Sequence, residues 1–130
     1  MPATPWMRHA MACAMLVAWT AAAWAEMPGD AGRGRVAVIG KGNCLACHHL
    51  PIPEEPDHGD IGPDLSTVGS RLGATELAAR IVDPKTINPD TIMPSFFKTD
   101  LHRVAKDWQG QTILTRQDVA DVVAYLLTLK

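Results

Sequence analysis

The chain has 130 residues, 20% of them charged, and a formal net charge of −2 at pH 7. A chain of this length forms one small domain, and its slightly acidic balance excludes the basic footprint of a nucleic-acid-binding protein. Aromatic residues make up only 5% of the sequence, so the domain can bury only a modest core from its own side chains.

Residues 1–25 have the pattern of a secretory signal peptide. Arg8 and His9 give a weakly positive start, an almost unbroken apolar stretch covers residues 10–23, and an Ala-Trp-Ala cleavage site ends at Ala25. The stretch is shorter than the ~20 residues that a membrane-spanning helix needs, so we expect cleavage rather than anchoring. The sequence therefore predicts an exported domain over residues 26–130, without a membrane span after cleavage, in the bacterial periplasm.

Asp30 is a good helix cap and predicts a short helix that runs to about Val38. Gly32 and Gly34 lie inside this helix, and each costs about 1 kcal/mol of helix stability relative to Ala. Two interpretations stay open at this point. Another helix approaches closely at these glycines, or the helix is simply weak and frayed.

The run Cys44-Leu45-Ala46-Cys47-His48 has the C-x-x-C-H spacing that attaches a c-type haem. On one turn of helix Cys44 and Cys47 share a face, so each thiol can bind one vinyl group of the porphyrin. His48 projects from the same turn and supplies the proximal nitrogen to the iron. The motif therefore predicts one covalent haem c.

Two other chemistries use C-x-x-C, a thioredoxin-like redox pair and half of a zinc site. The third cysteine, Cys13, lies in the predicted signal peptide, so a zinc ion would have to recruit His49, His58 or His102. A thioredoxin-like site needs a βαβ pattern, which the sequence does not show. Haem is favoured, and it would also complete the small core.

Four prolines make residues 51–63 a loop. A helix then begins at residue 74 or 75, with Thr75 as its cap, and continues to Val82 with an apolar face. Asp83 and Pro84 end this helix, and a second proline-rich loop over residues 84–94 follows.

The second loop contains the best candidate for the distal iron ligand, Met93. The loop is stiffened by prolines on both sides, and Pro94 favours an extended conformation at Met93. Met27 lies close to the expected new terminus, where the chain should be mobile. His49, His58 and His102 are rival ligands. A histidine and methionine pair raises the reduction potential of the haem and suits outer-sphere electron transfer.

Two further residues are candidates for the haem environment. We expect the Pro63 carbonyl to accept a hydrogen bond from His48, because a ligating imidazole usually donates its other N–H. The same residues also fit a plain turn. Arg71 is a candidate partner of a haem propionate, and it also fits an ordinary solvated arginine.

The last element is the clearest helix. Thr115 is its cap, Asp118 stands three residues later, and an apolar stripe follows on one face. The stripe consists of Val119, Val122, Val123 and Leu126. Between the second loop and this helix we expect at most a short helical turn near residues 101–106.

These features together resemble the class I cytochromes c. The matching parts are the helix over residues 31–38, the haem motif, the Gly-Pro-x-Leu run at 62–65, Met93-Pro94, and the last helix with Tyr125. The resemblance implies an all-α fold of a few short helices and long proline-rich loops packed around a covalent haem. It also implies that the terminal helices cross, with Gly34 at the contact.

Residues 42–48, 101–105 and 113–127 resemble more narrowly the SoxX family, the small monohaem subunits of the SoxAX sulfur-oxidation cytochromes. This resemblance implies a heterodimer with a SoxA-like cytochrome subunit, which couples thiosulfate to a cysteine of a SoxYZ-like carrier. The chain would be the non-catalytic, electron-accepting part of this L-cysteine S-thiosulfotransferase and would pass electrons to a small soluble cytochrome.

Two alternatives to this function stay open. One is a free-standing electron shuttle without a catalytic partner. Residues 98–114 are longer than such a shuttle needs, and their apolar side chains, including Trp108 and Ile113, could form a docking patch. The other is a peroxidase-like haem protein, which requires an open iron site.

Overall fold

The computed structural model describes residues 27–100 and 105–130. Over these ranges the chain forms three α-helices, α1 (Ala31–Ile39), α2 (Ala74–Val82) and α3 (Arg116–Thr128). Short 3₁₀ turns lie in the connecting loops at Cys44–Ala46, Val68–Ser70, Pro84–Thr86 and Lys106–Trp108. The described residues contain no β-strand, and the predicted all-α class is confirmed.

Two predictions concern residues beyond this description. The signal peptide over residues 1–25 lies outside the described residues, and so do residues 101–104 of the turn expected near 101–106. The observed turn Lys106–Trp108 begins where the expected one was to end. None of the described helices is long and apolar enough to cross a bilayer.

Helices α1 and α3 cross in backbone contact at Gly34. A Cβ atom built on Gly34 would lie 1.9 Å from the carbonyl oxygen of Asp121 and 2.9 Å from Cβ of Tyr125. Only a residue without a side chain allows two helices to approach this closely. Close approach is therefore the correct interpretation for Gly34, and the crossing implied by the resemblance is present. Gly32 meets only the side chain of Asp30.

Two carboxylates fix the start of α1. Asp30 accepts a hydrogen bond from Arg33 N at 2.7 Å, which confirms the predicted cap. The N–H of Asp30 donates to Oδ1 of Asp121 at 2.8 Å, and Arg33 Nε donates to Oδ2 of Asp121 at 2.7 Å. Asp121 is only 3% exposed, and its bond with the Arg33 guanidinium lowers the pKa of this carboxyl to about 2. An ion pair between two residues that are 88 positions apart in the sequence thus joins α1 to α3.

The observed cap of α3 agrees with the one predicted from the sequence, whereas the cap of α2 does not. The N-cap of α2 is Gly73, whose N–H donates to Oε2 of Glu76 at 3.1 Å. The assignment of Thr75 as this cap is wrong, because Thr75 already lies in the first helical turn. Helix α3 is capped as predicted, since Thr115 Oγ1 accepts from Asp118 N at 3.1 Å.

The core lies between α1, α2, α3 and the chain that follows the haem motif. Its most deeply buried large side chains are Leu50, Ile52, Leu114, Val38, Val119 and Val122. All four residues of the predicted stripe on α3 are buried. This packing leaves one side of α2 and α3 facing the motif, where the candidate site lies.

Candidate haem site

The haem motif follows α1 through a tight backbone reversal. Asn43 has a φ of 44°, a left-handed conformation that Asn tolerates better than most residues. The motif then begins as the 3₁₀ turn Cys44–Ala46, and the N–H of His48 donates to the Cys44 carbonyl at 2.9 Å. The turn is tighter than the expected helical turn, yet Cys44, Cys47 and His48 line the same cavity.

Residues 59–65, here called the 59–65 segment, run alongside the motif. Three amides of this segment donate to carbonyls of the motif region, Gly59 to Leu45 at 2.7 Å, Gly62 to Cys47 at 2.7 Å and Leu65 to His49 at 3.0 Å. The segment is thereby held against the motif along its whole length.

This segment orients the imidazole of His48. A Cβ atom built on Gly62 would lie 2.3 Å from Cε1 of the His48 ring, so the backbone of Gly62 packs directly against the ring. The next residue, Pro63, places its carbonyl oxygen 2.7 Å from His48 Nδ1. Because Nδ1–H donates to this oxygen, the other ring nitrogen, Nε2, is available as a metal ligand.

A cavity of about 730 Å³ lies between the motif and the loop that carries Met93. This volume is within the range of pockets that enclose cofactors. All six candidate site residues line it, namely Cys44, Cys47, His48, Pro63, Arg71 and Met93. The remaining walls are largely apolar and come from α2 and α3, including Leu77, Ile81 and Leu126. The structure therefore brings the sequence-predicted residues together around one space.

Met93 is presented by a loop whose two ends meet at α2. The loop leaves α2 at Asp83 and returns where Phe96 N donates to the Ile81 carbonyl at 3.1 Å. Within the loop, Met93 N donates to Thr91 Oγ1 at 3.2 Å. Met93 and His48 also line a smaller adjoining cavity of about 40 Å³. Met93 and His48 thus border the same interior space.

The charged side chains that line the cavity are all basic. They are Lys41, Arg71 and Arg80, and no Asp or Glu lines the cavity. Nη2 of Arg71 donates to the Asp64 carbonyl at 2.8 Å. The side chain of Arg80 has no hydrogen-bonding or ion-pair partner among the described residues. This lining suits a ligand that carries carboxylates, as haem does.

The donor set and the cavity fit a covalent haem better than either rival chemistry. Among the described residues no group of three or more His, Cys, Asp or Glu side chains could hold a metal ion. Burial raises the pKa of the Cys44 thiol to about 11, which disfavours the thiolate form that zinc binding and thioredoxin-like chemistry use. His49 and His58 do not line the cavity, and His102 lies outside the described residues.

Some residues of the site are not apparent from the sequence pattern. Gly62 carries no functional group, and the sequence marks it only as the first residue of the Gly-Pro-x-Leu run, not as a contact of His48. In the sequence pattern, Arg80 looks like an ordinary solvent-exposed residue of α2. The exposed isoleucines at the cavity, Ile61, Ile87 and Ile92, sit in loops where no periodicity identifies them.

Comparison with known proteins agrees with this geometry. The sequence model of a family described as Cytochrome c matches residues 33–130, whereas no curated protein matches the chain. Among solved structures, the chain is similar to one from the crystal structure of SoxXA from P. pantotrophus. The identity is 30%, with a TM-score of 0.73, covering 81% of this chain and 85% of that one. Family membership implies a covalently attached haem c and electron transfer, and the chain belongs to the cytochrome c family.

Proposed function

We propose that the chain is the electron-accepting monohaem subunit of a periplasmic SoxAX-like L-cysteine S-thiosulfotransferase, which acts in thiosulfate oxidation. The observation that carries this proposal is the similarity to a chain of SoxXA over most of both chains. The proposal includes export by the signal peptide over residues 1–25, and a mature domain over residues 26–130.

The cavity residues have distinct roles in this proposal. Cys44 and Cys47 would hold one haem through thioether bonds, and His48 and Met93 would be the ligands of its iron. Haem c bound in this way supplies a one-electron couple. Pro63 makes His48 a more basic ligand by accepting its Nδ1 proton in a hydrogen bond. The uncharged sulfur of Met93 favours the ferrous state.

Arg71 is the proposed partner of a haem propionate. Its guanidinium is already directed by the Asp64 carbonyl at 2.8 Å, so it lines the cavity in a fixed orientation. A charge-assisted bond from this group to a carboxylate is among the stronger polar contacts in proteins.

An exposed tryptophan supports docking to a partner. Trp108, in the stretch that separates the second loop from α3, is 55% exposed. Exposed aromatic side chains are typical of contact surfaces between proteins. The proposed partners are a SoxA-like cytochrome, a SoxYZ-like carrier reached through that complex, and a small soluble cytochrome.

The cysteine count supports a division of labour with the partner. Once Cys44 and Cys47 bind haem, only Cys13 remains, and it lies in the proposed signal peptide. The mature chain would have no thiol for sulfur transfer. The sulfur chemistry therefore belongs to the SoxA-like subunit, and this chain relays electrons.

Purification of the tagged chain from a native periplasm tests the proposal. We expect a mass equal to residues 26–130 plus one haem, a low-spin visible spectrum, and a second cytochrome that elutes with the chain. A chain that carries haem but elutes alone would favour the free electron shuttle. Carbon monoxide binding to the reduced protein at neutral pH would favour the peroxidase-like alternative and contradict the role of Met93.

A further inference from the structure

His58 is a half-buried histidine outside the cavity lining, and the proposed function does not use it. Each of its two ring nitrogens forms a hydrogen bond with the main chain of the loop over residues 50–58. Nδ1 accepts a hydrogen bond from the N–H of Leu50 at 3.0 Å, and Nε2 donates to the carbonyl oxygen of Glu55. Because Nδ1 accepts, the ring proton is on Nε2. One imidazole thus supplies both an acceptor and a donor to the main chain.

The loop that His58 closes leads directly into the 59–65 segment. At the start of the loop, Leu50 and Ile52 are each 1% exposed and anchor the chain in the core. At its end, Gly59 lies in backbone contact with the motif, since a Cβ atom there would lie 2.1 Å from the Ala46 carbonyl oxygen. His58 therefore connects a fixed point in the core to the first residue of the 59–65 segment.

We propose that His58 is a positioning residue for the proximal ligand. It fixes where the 59–65 segment begins, and that segment packs Gly62 against the ring of His48. The same segment holds the Pro63 carbonyl 2.7 Å from His48 Nδ1. This inference rests on the proposed ligation of the haem iron by His48. A looser segment weakens the Pro63 bond, makes His48 a less basic ligand and thereby raises the midpoint potential.

The variant His58→Leu removes both polar contacts and keeps an apolar group of similar size. In the haem-loaded protein we expect amide hydrogen exchange at Gly59 and Gly62 to become roughly five- to thirtyfold faster, because each of the two lost hydrogen bonds contributes about 1 kcal/mol, or about fivefold. We expect a higher midpoint potential and unchanged exchange in α1 and α3. The control is Asp57→Asn, since the exposed side chain of Asp57 has no hydrogen-bonding partner among the described residues. It should behave as the wild type.

A second variant keeps the test decisive if His58→Leu does not accumulate. In His58→Asn the amide oxygen can still accept from Leu50 N, so an intermediate exchange rate at Gly62 is expected. Wild-type exchange at Gly62 with an unchanged potential overturns the inference in either variant. Amide exchange that becomes equally faster in α1 and α3 also contradicts the inference, because it would show a general loss of stability. The same holds if Asp57→Asn accelerates exchange as much as the His58 variants do.

The same samples separate this inference from the proposed function. A wild-type protein without covalent haem or a low-spin spectrum contradicts the proposed ligand set. A correctly loaded wild type with a normal spectrum, combined with unchanged exchange in the variants, leaves that function intact and removes only the role of His58.

Discussion

Single residues decide how His48 is held, and two of the important ones contribute no functional group. The backbone of Gly62 packs on the imidazole ring, and Pro63 contributes only its carbonyl oxygen. The haem motif is short and local, so its five residues are recognisable in the sequence. The partners of His58 are main-chain atoms of Leu50 and Glu55, which no sequence letter marks. The sequence therefore marks His58 only as a rival ligand.

Gly62→Ala should disturb the proximal side of the haem. The added Cβ would lie 2.3 Å from Cε1 of His48, so the ring or the segment must shift, at a cost of about 1–3 kcal/mol. We expect a lower yield of haem-loaded protein and a changed visible spectrum. Gly73→Ala is the control, because its Cβ would lie 3.9 Å from Oε2 of Glu76. A normal spectrum and yield for Gly62→Ala would show that Gly62 does not constrain the ring.

Met93→Ala tests the distal ligand. Loss of the thioether should lower the midpoint potential by a sizeable part of the ~0.8 V range that axial ligands span, and should open the reduced iron to carbon monoxide. Potentiometry and difference spectra would measure both effects. Met27→Ala is the matched control, since Met27 does not line the cavity. The assignment is wrong if Met93→Ala keeps the wild-type potential.

At the level of elements, the contact between α1 and α3 is the strongest constraint on the fold. The helices themselves were predictable, because caps such as Asp30 and Thr115 act on residues three positions away. The pair between Arg33 and Asp121 spans 88 residues, so no local pattern indicates it.

Gly34→Ala should weaken the helix crossing. Its Cβ would lie 1.9 Å from the backbone oxygen of Asp121, which cannot move without displacing α3, so we expect a loss of about 2–3 kcal/mol. Gly32→Ala is the control in the same helix. Its Cβ would lie 3.2 Å from a movable carboxylate oxygen of Asp30, and its effect should stay within about 1 kcal/mol. Urea unfolding of both variants measures the difference, and equal losses would argue against a backbone contact.

Asp121 should make the helix contact sensitive to acid. Its pKa is lowered to about 2 in the folded chain, below the ordinary value of ~3.9. The contribution is fully present above pH ~4, amounts to about 2 kcal/mol, and is lost as the pH falls towards 2. Wild type and Asp121→Asn, compared by urea unfolding from pH 7 to pH 2.5, should therefore converge at low pH. A difference that stays constant over this range would contradict the role of the ion pair.

At the scale of the whole molecule, the large cavity indicates that the stability of the small core depends on the cofactor that fills it. The sequence indicates the shortage through its 5% of aromatic residues. The position and lining of the cavity depend on how α2, α3 and the Met93 loop pack, so they had to come from the structure. The narrower SoxX-like region includes residues 101–104, which lie outside the described residues.

Removal of the haem should destabilise the entire domain. A Cys44→Ala, Cys47→Ala chain would leave a cavity of about 730 Å³ with mostly apolar walls to water. We expect reduced helix content by circular dichroism and a broad thermal transition, compared with a cooperative transition of the haem-loaded protein. The control is Asp57→Asn, an exposed residue outside the cavity lining, which should retain the wild-type transition. A cooperative, stable double variant would show that the polypeptide needs no cofactor to fold.

The contact of Gly34 with Asp121 joins the first helix of the domain to the last one. The C-x-x-C-H run lies between these two helices in the sequence. Before α3 packs on α1, the fold around this run is incomplete. We expect both thiols to be open to the cofactor at this stage, and docking of α3 on α1 to end that access.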